Sequence, residues 1–83
     1  MGLFKNNYEK DLDAVIKHLE MNMSNNYKDA AQADFREFEE KVQKYINEGH
    51  IKGKSSEIYE GKLKDYRVKM QGYTHKDQKP YWT

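Results

Sequence analysis

The sequence predicts an all-α fold, an up-down-up antiparallel three-helix bundle with a short C-terminal tail. Three observations carry this. Two long stretches repeat apolar residues with the helical period, a third does so less cleanly, and the segments between them are short and built from Asn, Gly and Ser.

The first helix is expected over about residues 7–23. Asn6 followed by Glu9 has the spacing of a capping box, with Asn in the Ser/Thr place. Tyr8, Leu12, Val15, Ile16, Leu19 and Met23 then fall within an arc of about 100°. Met21 points the other way, which makes it a candidate partner contact. Upstream, Leu3 and Phe4 are expected to close one end of the core. Ser24, Asn25 and Asn26 form a turn, with Asn26 placed to cap the next helix. So short a loop makes the first two helices antiparallel neighbours.

The second helix, about residues 26–48, has the most regular pattern in the chain. Tyr27, Ala31, Phe35, Phe38, Val42, Tyr45 and Ile46 share one arc of about 100°, and Asp29, Arg36, Glu40 and Lys44 point away from it. Gly49 is placed to take the left-handed conformation that stops a helix, with Ile51 packing back.

After a linker from His50 to Lys54, Ser55 or Ser56 is expected to cap a third helix over about residues 55–72. Its face is Tyr59, Leu63, Tyr66, Met70 and Tyr73, with Ile58 and Lys62 at the margin. The seven-residue recurrence of tyrosine at 59, 66 and 73 is the spacing of a seam against neighbouring helices. Gly61 inside this helix costs about 1 kcal/mol relative to Ala, unless a neighbour approaches closely there. Val68 points outward and is a second candidate contact. Residues 1–73 thus make the bundle. Residues 74–83, aperiodic and containing Pro80, make a tail. Its Tyr81 and Trp82 are expected to cover the core, to stay disordered or to anchor a partner.

Composition limits this design. An 83-residue chain is one domain, and an apolar fraction of 36%, against the roughly 45% usual for globular chains, makes a thin core. Seven Tyr and four Met must supply much of the buried area, with the Tyr hydroxyls kept wet. The expected stability is about 3–5 kcal/mol, and self-association is one way to raise it. No Cys is present, which fits a reducing compartment. No apolar run spans a membrane, no signal peptide opens the chain, and Asn6 spoils a myristoylation motif at Gly2, so a cytoplasmic protein is expected.

No motif carries a chemistry. Gly49 to Ser55 resembles a phosphate-binding loop but has three residues between its glycines where four are needed, and it follows a helix rather than a strand. It reads as a helix stop followed by a helix start. His18, His50 and His75 are far apart and lack ligand-pair spacing, so no metal or cofactor is expected and the imidazoles are read as solvated. Asp11, Asp13, Glu37, Glu39 and Glu40 read as a solvated face, with Glu37 and Glu40 spaced to pair with Lys41 and Lys44.

Charge is uneven, with net −3 over residues 1–50 and +4 over residues 51–83. The basic side chains Lys52, Lys54, Lys62, Lys64, Arg67 and Lys69 do not form a single stripe. A short Cys-free chain rich in Lys, Glu, Tyr and Asn resembles in composition the small helical proteins of Gram-positive bacteria and their mobile elements, a likeness that gives no residue a role. The function expected is a small non-enzymatic helical protein acting as a protein–protein interaction or accessory module, its partner another protein or a second copy. The alternative is a small nucleic-acid-associated regulator using the basic C-terminal segment.

Overall fold

A computed structural model describes residues 5–71, which form α1 (Asn7–Ser24), α2 (Lys28–Asn47) and α3 (Lys54–Gln71) in an up-down-up bundle. The helix α2 is central and packs closely against both others. The expected tail, with Tyr81 and Trp82, lies outside the described residues, as do Leu3, Phe4 and Tyr73.

The capping box at the start of α1 forms as expected. Asn6 Oδ1 accepts the Glu9 N–H at 2.8 Å, and Glu9 Oε1 accepts the Asn6 N–H at 2.9 Å. The cap also reaches across the fold, since Asn6 Nδ2 donates to the His50 carbonyl at 3.0 Å and Ser55 Oγ donates to Glu9 Oε2.

The first loop departs from expectation. Asn26 does not cap α2; it takes a left-handed conformation (φ 61°). This lets the Tyr27 N–H reach the Asn22 carbonyl at 2.8 Å and the Asn26 N–H reach the Met23 carbonyl at 3.0 Å, the paired bonds of a Schellman stop. Asn, with Asp, tolerates that backbone better than most residues with a Cβ. Tyr27 therefore becomes the cap of α2 without a side-chain bond, and its ring is 60% exposed rather than part of the apolar stripe.

The end of α2 repeats the device where the sequence places it. With Gly49 at φ 78°, the His50 N–H bonds the Tyr45 carbonyl at 2.8 Å and the Gly49 N–H bonds that of Ile46 at 3.1 Å. Ile51 packs back and is buried. The start of α3 again differs. Gly53 (φ 63°) turns the chain early, and its carbonyl accepts the Glu57 N–H at 3.2 Å. Ser55 and Ser56 are therefore inside the first turn and do not cap it, Ser56 Oγ donating to the Gly53 carbonyl at 2.9 Å.

The core unites Leu12, Val15, Ile16 and Leu19 of α1 with Ala31, Phe35, Phe38 and Val42 of α2, and with Ile51, Tyr59, Leu63, Tyr66 and Met70. Phe38 is fully buried and meets the Tyr66 ring edge-on at 6.3 Å between centroids. Tyr45 and Ile46 flank this core half-buried. No heavy atom lies within 4 Å of where a Gly61 Cβ would stand, so no neighbour explains this glycine and it simply weakens α3.

Candidate functional site

Polar side chains gather between the helices. Asp34 on α2 is buried, and its Oδ2 accepts from Asn22 Nδ2 at 2.6 Å and lies 3.0 Å from His18 Nδ1. The reciprocal arrangement stands farther along the pair. Asp11 on α1 accepts from the Tyr45 hydroxyl at 2.6 Å and pairs with Lys41 Nζ at 2.9 Å. In each case one aspartate is held by two side chains one turn apart on the facing helix, which fixes the height of α1 against α2. The Tyr45 hydroxyl, then Lys41, holds the Asp11 carboxyl below the usual range, and Asp11 in turn raises the pKa of both partners.

Between the two clamps runs a shallow open groove of about 270 Å³, floored by Ala14 and Val15 and edged by His18, Asp34, Glu37 and Lys41. Its charged groups already hold one another, for Lys41 also pairs with Glu37 at 3.0 Å. Among the described residues, no three His, Asp or Glu side chains converge as metal ligands.

The joint between α1 and α3 uses tyrosine. Tyr59 OH donates to Asp13 Oδ1 at 2.8 Å, and Tyr66 OH donates to Glu20 Oε2. Burial, then the carboxylate bond, pushes both phenol pKa values up. These hydroxyls are thus not left to water, contrary to expectation. Nor are Asp11 and Asp13 a merely solvated face, since each ties α1 to another helix. Glu39 likewise reaches Arg67 of α3 at 2.7 Å, whereas the Glu37–Lys41 pair forms within α2 as its spacing predicts.

The histidines also differ from expectation. His18 remains largely in solvent but bonds Asp34. His50 is stacked flat on Tyr8, with ring centroids 3.8 Å apart and 3° between planes, and its Nε2 lies 3.1 Å from Glu48. Tyr8 and Tyr45 meet edge-on at 4.9 Å, completing an aromatic end to the bundle. His75 is outside the described residues.

Of the candidate contact residues, Met21 is 52% exposed and Val68 64% exposed, on α1 and α3 respectively. The bond between residues 20 and 66 places them at the same level along the bundle. Sequence reasoning missed Ile58, which is 49% exposed where a margin of the core was expected. Counting back from Val68 by three, seven and ten residues gives Asp65, Gly61 and Ile58, a spacing that would have found it. Lys54, Lys62, Lys64 and Lys69 are exposed on α3, while Lys69 Nζ lies 5.1 Å from the Tyr66 ring centroid. Among the described residues no helix is long and apolar enough to cross a membrane. Comparison of the chain with protein-family models, with curated proteins and with solved structures gives no match, so its surfaces are read from their own chemistry.

Proposed function

We propose that this chain is a non-enzymatic interaction or accessory module acting in the cytoplasm, a helical scaffold whose outward side chains meet another protein. The observation that supports it is the division of labour among side chains. Asp11, Asp13, Glu20 and Asp34 are engaged in joining helices, while apolar Met21, Ile58 and Val68 are left about half exposed or more. Quantitative capture of the tagged chain from its own cells, beside a Met21→Lys/Val68→Lys variant, tests this. The expected result is a protein recovered with the parent chain and lost with the variant. Recovery of no protein, together with turnover of a metabolite, would overturn it.

A nucleic-acid-associated role is the second reading, favoured by the exposed lysines of α3. It requires a mobility shift that weakens as salt rises, and absence of any shift at about 50 mM salt removes it.

A further inference from the structure

We propose that the outward face of α3 docks an acidic amphipathic helix of a partner protein; this rests on the interaction reading above and gives it a surface and a partner chemistry. The helix α3 buries one apolar side and exposes two apolar side chains on the other. Tyr59, Leu63, Tyr66 and Met70 are buried in the bundle, and a second line runs along the opposite side through Ile58, Gly61, Asp65 and Val68. Its 3-4-3 spacing is that of a seam against another helix. Gly61 stands in the middle, with nothing within 4 Å of its absent Cβ. A glycine there costs the isolated helix stability and gives no contact within the fold, but it lets a second backbone come close.

Charge decides what the second helix is. Lys62 and Lys69 flank the line on one side, Lys64 flanks it on the other, and Lys54 stands at its start. Against these four lysines stand Glu57 and Asp65 on this face and Glu60 at its edge, which leaves the face net positive. A second copy fits poorly. Antiparallel pairing that sets Ile58 against Val68 also sets Lys62 against Lys62 and Lys64 against Lys64. Parallel pairing sets Asp65 against Asp65. Nucleic acid fits poorly too, because the apolar Ile58 and Val68 would face phosphates. A helix with an aliphatic seam, one hydrogen-bond donor in that seam opposite Asp65, and Glu or Asp on its flanks meets these features, its seam over Ile58, Gly61 and Val68 and its carboxylates among the lysines.

The test is an NMR titration of the full chain with two synthetic amphipathic peptides sharing one Leu seam, one flanked by Glu and the other by Lys. The Glu-flanked peptide is expected to shift amides of α3 around Ile58, Gly61 and Val68, with affinity falling at least about tenfold in Val68→Glu. The Lys-flanked peptide is expected not to bind. Equal binding of both peptides, shifts confined to α1 or α2, no effect of Val68→Glu, or no binding overturns the assignment. Because Val68 is exposed, a circular dichroism spectrum matching the parent shows that the variant is folded. A photo-crosslinking residue placed at 68 or at 21 in the chain's own cells separates this failure from that of the broader reading. Capture of an acid-flanked helical segment from position 68 supports the assignment. Capture of a protein from position 21 alone overturns it and leaves the interaction reading standing. Nucleic acid or a second copy captured at 68 overturns the acidic occupant, and capture of nothing at either position ends both readings.

Discussion

The pair α1–α2 and the helix α3 are built by different means. In the pair, a short Schellman turn and two reciprocal aspartate clamps join helices whose large apolar residues, Met21 apart, lie on one side. In contrast, α3 joins by long tyrosine side chains, carries an unsupported glycine, and exposes Ile58 and Val68 on its outer side. The pair is organised to hold itself together; α3 is organised to be held on one side and to meet something on the other. In a chain with few apolar residues, Ile58 and Val68 on that outer side are withheld from the core.

The largest effect expected tests what the two regions share. Phe38→Ala should cost about 3–5 kcal/mol, comparable to the whole stability of a core this size, and leave the chain largely unfolded by circular dichroism. Helicity retained in α1–α2 alone would show that the pair is independent of its central phenylalanine.

Next comes the joint itself. Tyr59→Phe with Tyr66→Phe removes two hydroxyl–carboxylate bonds at about 1 kcal/mol each, and hydrogen exchange should rise first in α3. A uniform rise along all three helices would show that α3 is held no differently from the α1–α2 pair. Gly61→Ala acts in the opposite direction. Nothing blocks the added methyl, so the urea midpoint should correspond to stabilisation of about 1 kcal/mol, gained mainly within α3.

The smallest effect separates the two joints by pH. The Ser55 hydroxyl, then the Asn6 backbone N–H, lowers the pKa of Glu9, and the Tyr45 hydroxyl, then Lys41, lowers that of Asp11. A carboxyl whose folded value is lowered adds stability above its unfolded value, near 4, and loses it as pH falls through the folded value. Ser55→Ala and Asp11→Asn should each cost less than about 1 kcal/mol at pH 7 in urea unfolding, with the gap to the parent closing toward pH 2.

The sequence makes the local features of this fold legible. The Asn6–Glu9 box and the Gly49 stop each involve residues three to five apart, so spacing alone reveals them. The misreading of Asn26 is also local: one residue type suits both a cap and a left-handed turn, and the backbone chose the turn. Asp34 is different. It stands at the edge of the apolar arc, and its burial depends on His18 and Asn22 arriving from another helix. Tyr59 and Asp13 are 46 residues apart, and no periodicity within either helix announces their bond. The candidate surface was half legible, because Val68 reads as outward whereas Ile58 sits close to the core margin on a helical wheel.

Three side-chain bonds from α3 to α1 join 9 with 55, 13 with 59 and 20 with 66, each an offset of 46. Such a row of equal offsets acts as a ruler. A slip of α3 by one turn would break all three bonds together, so a change in the length of the connection at residues 48–53 is absorbed by the connection. Loop closure grows costly only slowly, about 0.6 kcal/mol for a doubling of length. A longer connection would bulge at exposed Lys52, between buried Ile51 and the left-handed Gly53, while the outer face of α3 kept its height, making that one position the place where added residues would least move the surface assigned to its partner.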